Sequence, residues 1–324
     1  MHDRWSSLDL AEGFQLSHAV ATLYRLEVFE SLKRPATVEA LSRKHGLDAD
    51  LLRGTIEFVL ARTDLVRKIG RRYVTTSSYS AGSRFLLDLY LGAYANNARR
   101  LGDLLCDPSR AQNMIDRIRY ARAFEAVNNS MLGIVPDLIR RLQFNHVLDV
   151  GCGSGELLLT LAKSDASFIG WGVDLNPSMC RVVRTRIRAA GASGRLRVLE
   201  GDCRRLSGLI PLNIRRRIQA LVVSNVANEM FANGSERIVV WLRELRDIFP
   251  DRPLLISDYY GRLGRKGKFE REAILHDFVQ LISGQGIPPS DAAEWTAIYK
   301  RAGCHLAHIL EDKSTTRFIH LLRL

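Results

Sequence analysis

Apolar residues recur at helical spacing over the first sixty residues of the chain. The pattern predicts a helix over Gly13–Leu32, which ends before Pro35. Thr37 and Gly46 are the residue types of a helix N-cap and a C′ position, so they bound a second, short helix, and Asp48–Ala61 is predicted to be a third. Two short strands around a turn follow. This order of elements predicts a winged helix.

Downstream, the pattern predicts two long helices, Phe85–Leu105 and Arg117–Leu142, and then changes character. Short apolar strands now alternate with helical segments, which is typical of a parallel doubly wound sheet. Seven strands are predicted: His146–Val150, Phe168–Asp174, Arg195–Glu200, Ala220–Asn225, Leu254–Tyr259, Leu306–Glu311 and Arg317–Leu322. The fold class is therefore α/β, with an N-terminal all-α/winged-helix domain over residues 1–110 and a seven-stranded sheet domain over residues 111–324.

A glycine-rich turn connects the first strand of this sheet to the next helix. Gly151, Gly153 and Gly155 follow the strand directly, and glycines at such a turn let the backbone approach a ligand closely. A dinucleotide fingerprint would place a further glycine at Glu156, so the spacing argues against NAD and FAD. The turn instead favours a cofactor without phosphates, and Asp149 suits an ammonium group.

Polar residues end each of the next three strands. Asp174, followed by Leu175, is placed to accept hydrogen bonds from the two hydroxyls of a ribose. Asp202, followed by Cys203, is placed to hold the exocyclic amine of adenine, and Asn225 would border both the methyl donor and its acceptor. Because the carboxyl ends of parallel strands share one edge, these positions converge on one crevice.

This arrangement resembles the class I S-adenosylmethionine-dependent methyltransferases over roughly Arg117–Leu324. Together with the winged-helix segment, the whole chain is similar to the small-molecule O-methyltransferase-like families. The resemblance implies a Rossmann-like sheet, S-adenosyl-L-methionine as cofactor and a small-molecule acceptor, in natural product biosynthesis. The residues that would line the cofactor are Asp149, Gly151, Gly153, Asp174, Asp202 and Cys203.

The same families usually form intertwined homodimers through the N-terminal domain. The resemblance therefore implies a homodimer, and the first helix supplies a candidate contact surface. We expect an apolar stripe of Phe14, Leu23, Leu26 and Phe29 to pack against a second subunit.

The general base of the O-methyltransferase families is missing from its usual place. The motif puts Asn228 where a His is expected, and Asn cannot act as a base near neutral pH. His276 and Asp277, after the fifth strand, resemble a His-Asp pair of α-keto acid C-methyltransferases, in which such a pair supplies a metal ligand. By this resemblance His276 would bind one Fe or Zn ion that assists carbon methylation. A second ligand is not fixed, and His305, His308 and His320 are candidates.

Several other residues are candidates for contact with the acceptor. Glu229 follows the carboxyl end of the fourth strand, and Tyr259 and Tyr260 end the fifth. Arg122, or its neighbour Arg119, is placed to clamp a substrate carboxylate through a bidentate pair. Catalytic roles are accordingly expected for His276, Asp277, Glu229 and Arg122.

The net charge of +12 raises nucleic acid as a partner, but the predicted third helix argues against it. Asp50–Glu57 holds one Arg flanked by acids, a poor surface for phosphate contact. A DNA-binding regulator that senses S-adenosylmethionine is therefore disfavoured, and a catalytically silent paralogue is disfavoured by the intact glycine turn. Oxygen or nitrogen methylation of a small metabolite without a metal stays open beside carbon methylation.

No apolar run approaches the ~20 residues of a membrane span, so no membrane partner is expected. The N-terminus lacks the basic-then-apolar order of a signal peptide. The five cysteines include no CxxC pair, which argues against a disulfide framework or a thiolate zinc site. A cytoplasmic location is the expectation.

Overall fold

A computed structural model describes residues 5–125, 130–266, 270–312 and 315–324. The chain folds as two compact units. The first holds the described residues up to Ala93 together with a short segment that begins at Arg122, and the second holds Tyr94–Ala121 and the rest of the described chain.

The first unit has the winged-helix order that the sequence predicts. Thr37 caps the second predicted helix by accepting a hydrogen bond from the Ala40 amide at 3.3 Å, and Gly46 ends it with a left-handed φ of 65°. The elements are helices α1 (Ser7–Arg25), α2 (Val28–Ser31), α3 (Val38–His45) and α4 (Ala49–Arg62), strands β1 (Val66–Ile69) and β2 (Arg72–Thr75), helix α5 (Ala81–Asp88) and a π-helix over Leu89–Ala93. The two strands pair antiparallel.

The apolar stripe proposed for subunit pairing is divided by this packing. Leu23 and Phe29 lie in the first unit's own core, with exposed fractions of 2% and 0%. Phe14 and Leu26 remain exposed. Leu23 and Phe29 are therefore unavailable to a second subunit, because the helices bury that face against α4 and the hairpin. The homodimer itself stays a prediction.

The predicted long helix over Phe85–Leu105 is not continuous. It breaks at the π-helix and again at Arg100, whose φ of −107° and ψ of 28° are not helical. Helical spacing of apolar residues persists across such breaks, so the pattern could not reveal them.

The second unit is built on the predicted seven-stranded sheet. Its strand order is β5-β4-β3-β6-β7-β9-β8; the first five are parallel, and β9 runs antiparallel between β7 and β8. The strands are β3 (His146–Val150), β4 (Ile169–Asp174), β5 (Leu196–Glu200), β6 (Ala220–Ser224), β7 (Pro253–Tyr259), β8 (His305–Asp312) and β9 (Arg317–Arg323).

Helices cover both faces of this sheet. The helices from Ala95 onward are α6 (Ala95–Arg99), α7 (Leu101–Cys106), α8 (Arg117–Glu125), α9 (Ser130–Arg141), α10 (Glu156–Ser164), α11 (Pro177–Ala189), α12 (Leu206–Leu209), α13 (Leu212–Arg217), α14 (Glu236–Ile248), α15 (Arg271–Ile282) and α16 (Ala292–Ala302), with 3-10 turns over Pro108–Met114, Cys203–Arg205 and Ala227–Met230. Alternate side chains of β3 and β6 point to opposite faces and join two separate apolar clusters. Both faces are therefore buried, as a parallel sheet requires.

Two glycines in β4 let helix α10 approach the sheet closely. A Cβ on Gly170 would lie 2.8 Å from the Leu158 side chain, and one on Gly172 would lie 2.6 Å from Cys152 Sγ. Side chains at these positions would push α10 outward. The glycines therefore fix the turn between β3 and α10 against the end of β4.

No helix in the described part of the chain is long and apolar enough to cross a membrane.

The packing after β6 can be tested at the contact between Gly286 and Phe231. Gly286 has a φ of 83°, and a Cβ there would lie 2.2 Å from the Phe231 carbonyl. We expect Gly286→Ala to lower the free energy of unfolding by about 3–5 kcal/mol, because left-handed strain adds to a clash with backbone. Gly234 has a φ of 82°, and a Cβ there would meet no atom within 4 Å. Gly234→Ala should therefore lower the free energy of unfolding by only about 1–2 kcal/mol. Urea denaturation measures both; equal losses would show that the contact is not tight.

Candidate functional site

The turn between β3 and α10 needs its glycines for two different reasons. Gly151, Gly153 and Gly155 all have left-handed φ values, of 76°, 50° and 75°. A Cβ on Gly151 would lie 2.3 Å from Val226 Cγ2, and one on Gly155 would lie 2.6 Å from Val183 Cγ1. A Cβ on Gly153 would meet no atom within 4 Å. The outer glycines pack against protein, whereas the middle one faces open space.

Asp174 joins this turn to the end of β4. Its carboxylate accepts hydrogen bonds from the Gly153 amide at 2.9 Å and from the Asn176 amide at 2.8 Å. Burial raises the pKa of Asp174, while the two amides and the charge of Arg117 oppose that shift. Leu175, the next residue, is exposed at 62%. The carboxylate therefore stands beside the open face of Gly153.

Asp149 lies below the turn, at 3% exposure. Burial raises the pKa of its carboxyl group to about 7, and the nearby negative charge of Asp174 adds to the shift. Without a cation beside it, Asp149 is thus partly protonated near neutral pH.

The end of β5 places Asp202 and Cys203 as predicted but with partners of their own. Asp202 accepts hydrogen bonds from Arg204 Nε at 2.8 Å and Nη2 at 2.6 Å, which lower its pKa. The Cys203 carbonyl accepts a bond from Trp241 Nε1 at 3.0 Å, and burial raises the pKa of the thiol to about 12. An adenine amine at Asp202 would have to share or displace Arg204.

A second cluster gathers around Glu229, in the 3-10 turn after β6. Burial raises the pKa of Glu229 to about 7; Arg117 and Arg204 lower it and Asp174 raises it. Tyr120 is in the same electrostatic neighbourhood, because the charge of Glu229 raises its pKa after burial. Arg117 and Tyr120 were not predicted, although their i, i+3 spacing puts them on one face of α8.

Arg122, the predicted carboxylate clamp, has a partner in the first unit. Its Nε lies 3.5 Å from Asp88 Oδ2, and its guanidinium stands over the Tyr24 ring at 5.5 Å. Arg119 lies 3.9 Å from Asp116. Arg117 is the cation of α8 whose charge acts on Glu229 and Asp174. Residue type alone could not separate three arginines on one helix.

Asn228, in the place of the missing base, is buried at 3% exposure. Its side-chain amide donates to Gln280 Oε1 at 3.2 Å, and its backbone amide donates to Asp258 Oδ2 at 3.0 Å. Asp258 is fully buried and also accepts from the Tyr259 amide at 3.0 Å. Asn228 therefore has a structural partner set and no basic group.

The geometry does not support a metal at His276. Its ring packs edge-on against Tyr259 at 4.8 Å, and burial, aided by the charge of Arg317, lowers its pKa to about 3. Asp277 accepts hydrogen bonds from the backbone amides of Arg262 and Leu263, so it fixes the loop after β7. Among the described residues no group of three His, Cys, Asp or Glu side chains is arranged to hold a metal.

The three histidines considered as a second ligand lie elsewhere. His305 and His308 are exposed on the edge strand β8. His320 is fully buried, with Nδ1 bonded to the Tyr299 hydroxyl at 2.8 Å and Nε2 to the Tyr260 hydroxyl at 3.1 Å. Both ring nitrogens of His320 thus have structural partners.

Asn225 directly follows β6 and has a left-handed conformation, with a φ of 53°. Its backbone amide donates to the Ser257 carbonyl at 2.9 Å, and its side-chain oxygen accepts from Arg317 Nη1 at 2.9 Å. The next residue, Val226, is the one that packs against Gly151. Asn225 therefore links the glycine turn to β9.

Comparison with known proteins agrees with this geometry. Residues 147–241, from β3 to α14, match the sequence family described as Methyltransferase domain. This part of the chain therefore carries the sequence pattern of a methyltransferase domain. The seven-stranded sheet and the helical N-terminal region match the fold of solved methyltransferase structures.

Solved structures extend the likeness of fold beyond the methyltransferase domain. The mitomycin 7-O-methyltransferase MmcR has a TM-score of 0.77 and 17% identity, over 97% of this chain and 96% of MmcR. CalO1, a methyltransferase in calicheamicin biosynthesis with bound SAH, has a TM-score of 0.66 and 21% identity, over 98% and 99%. The pyocyanin biosynthetic protein PhzM has a TM-score of 0.64 and 19% identity, over 98% of each chain.

The two kinds of glycine in the turn of the methyltransferase domain can be separated by stability. Gly151→Ala should lower the free energy of unfolding by about 2–4 kcal/mol, because a left-handed alanine also meets Val226. Gly153→Ala should cost only about 1–2 kcal/mol, because its new methyl group enters open space. Chemical denaturation of both variants checks the difference, and a larger loss for Gly153→Ala would contradict the described packing.

Proposed function

We propose that the protein transfers a methyl group from S-adenosylmethionine to an oxygen or nitrogen atom of a small molecule, without a metal. The proposal rests on the hydrogen bond from the Gly153 amide to the half-buried Asp174 carboxylate, next to open space on the Cβ side of Gly153. The methyltransferase domain and the fold of the neighbours support it.

In this proposal each strand end contacts a different part of the cofactor. Asp174 accepts hydrogen bonds from the ribose hydroxyls, and the backbone at Gly153 approaches the cofactor. Asp202 holds the adenine amine, and Asp149 acts on the methionyl ammonium from below. A cation near Asp149 would favour its ionised form and offset the burial that raises its pKa.

Methyl transfer itself asks little covalent chemistry of the protein. The acceptor's lone pair forms the new bond to the methyl carbon while the carbon–sulfur bond breaks, and its electrons neutralise the sulfonium. The protein must hold the two in line and accept any proton that the acceptor loses. Asn228 cannot do this, whereas Glu229 has a pKa of about 7 and is suited to proton transfer at neutral pH.

The described residues favour this reading over metal-assisted carbon methylation. His276 is a neutral ring whose pKa is held down partly by the cation Arg317, and Asp277 is engaged by the backbone. The neighbours named for mitomycin, calicheamicin and pyocyanin support an acceptor from specialised metabolism. We also propose a homodimer, for which Phe14 and Leu26 remain exposed.

The cofactor assignment is tested by replacing Asp174. Asp174→Ala should weaken binding of S-adenosylhomocysteine by about 1.5–3 kcal/mol, because a charge-assisted hydrogen bond to the ribose is lost. Asp165→Ala is a matched control: the half-buried Asp165 also accepts a hydrogen bond from the amide two residues ahead, at 2.7 Å, but it follows the C-terminal end of α10. Titration calorimetry of both variants decides, and unchanged affinity for Asp174→Ala would refute the assignment.

The role of Glu229 is tested by the pH dependence of turnover. Because the pKa of Glu229 is raised to about 7, its basic form is lost as pH falls, so kcat/KM for an aromatic hydroxyl acceptor should decline below about pH 7. Glu229→Gln should remove this decline and lower kcat about 100-fold or more. Glu244→Gln, at an exposed position of α14, should change neither. A Glu229→Gln enzyme with the wild-type pH profile would exclude Glu229 as the base.

A further inference from the structure

Arg317 places a guanidinium group at the carboxyl edge of the sheet. It is the first residue of β9 and pairs in register with Tyr259, the last residue of β7. Its side chain is half-buried, and Nη1 donates to the Asn225 side chain at 2.9 Å. Asn225 is followed by Val226, which packs against Gly151. The guanidinium therefore lies close to the glycine-rich turn between β3 and α10.

The charge of Arg317 has no acidic partner. Within the described ranges its one hydrogen-bonding partner is the neutral Asn225, and no Asp or Glu lies within ion-pair distance. Asp258 is near enough for Arg317 to lower its pKa, but burial raises that pKa to about 7 and both oxygens already accept backbone amides. The half-buried guanidinium therefore has donors left that can bind an anion.

The backbone on both sides of this contact is in an unfavourable conformation. Asn225 has a φ of 53°, and Thr316, directly before Arg317, has a φ of 61°. A left-handed conformation is tolerated by Asn but is a clear outlier for a β-branched residue. Such conformations persist where the surrounding structure needs them, and they are common at ligand-binding sites. Here both residues adjoin the Arg317 guanidinium, which the Asn225 side chain holds by its hydrogen bond.

We propose that Arg317 binds an anionic oxygen of the methyl acceptor, and that the acceptor is therefore an aromatic hydroxyl acidified by a conjugated carbonyl, bound as its oxyanion. This inference rests on the proposed function and names its substrate class. A planar guanidinium suits the two oxygens of a conjugated hydroxyl-carbonyl system, which share one negative charge. It also fits a site in which Asn replaces the usual basic residue.

The reaction balances with the groups already named. The acceptor hydroxyl loses its proton to Glu229, and Arg317 stabilises the resulting oxyanion. The oxygen then forms a bond to the methyl carbon, the carbon–sulfur bond breaks, and the sulfonium becomes a neutral thioether. The product ether carries no negative charge, so Arg317 holds it more weakly than the substrate, and release is favoured.

An anionic oxygen at Arg317 could also come from the carboxylate of the cofactor, and two ligands distinguish the sources. The first is S-adenosylhomocysteine. The second is 2-hydroxy-1,4-naphthoquinone, an anion at neutral pH, measured on protein saturated with S-adenosylhomocysteine. The uncharged 2-methoxy-1,4-naphthoquinone serves as the matched probe without the charge. Calorimetry gives the affinity of each.

Arg317→Met should weaken binding of the hydroxyquinone anion about tenfold or more, because a charge-assisted pair is lost. Binding of the methoxyquinone and of S-adenosylhomocysteine should stay within about twofold, which also shows that the variant is folded. Arg317→Lys keeps the charge without the planar fork and should lose less. Arg323→Met, an exposed position on the same strand paired with Asp251, should leave all three affinities unchanged.

Three results would overturn the inference: equal loss for both quinones, a loss confined to S-adenosylhomocysteine, or no saturable binding of the anion by the wild-type protein at millimolar concentration. The second of these would assign Arg317 to the cofactor carboxylate. Failure of the wild-type protein to bind S-adenosylhomocysteine would instead refute the proposed function, so the two failures are distinguishable.

Discussion

The site depends on how closely the β3–α10 turn approaches the ends of its neighbouring strands. Gly172 admits Cys152 on one side, Gly151 admits Val226 on the other, and the Gly153 amide bonds to Asp174. A side chain at either of the first two glycines would move the turn by ångströms. The contact with Val226 connects the turn to the end of β6. The neighbouring Asn225 in turn accepts a hydrogen bond from Arg317 on β9. The residues proposed to bind the cofactor and the acceptor are therefore connected through one set of contacts.

Electrostatics at this edge is governed by burial. Asp149 and Asp258 are buried and Glu229 is half-buried, and burial raises the pKa of each carboxyl group to about 7. Arg117 and Arg317 oppose that shift for Glu229 and Asp258, respectively. Near neutral pH, these three carboxyl groups are consequently close to the point at which the neutral and ionised forms are equally populated. In the proposed function a sulfonium enters this surrounding and an oxyanion is methylated within it, so small changes in charge count strongly.

The shape of the edge proposed to bind the cofactor was predictable because each of its motifs is local in sequence. A buried strand, a glycine turn and an acidic strand end are each read within ten residues, and parallel strands bring their ends together. The acceptor side was not predictable in this way, because its cations come from distant elements. Arg117 lies on a helix with two other arginines. Arg317 lies on β9, which is separated in the sheet from β6, the strand before Asn225, by β7. His276 and Asp277 had the residue types of a metal site, but burial and backbone contacts engage them otherwise. Helical spacing also concealed the break at the π-helix over Leu89–Ala93.

A crystal structure of the protein with S-adenosylhomocysteine tests the central claim most directly. The account predicts the ligand at the carboxyl ends of β3 to β6, with its ribose hydroxyls within hydrogen-bond distance of the Asp174 carboxylate and its backbone contact at Gly153. Its sulfur should face the space between Glu229 and Arg317. A ligand bound elsewhere, or one at this edge whose ribose does not contact Asp174, would contradict the account.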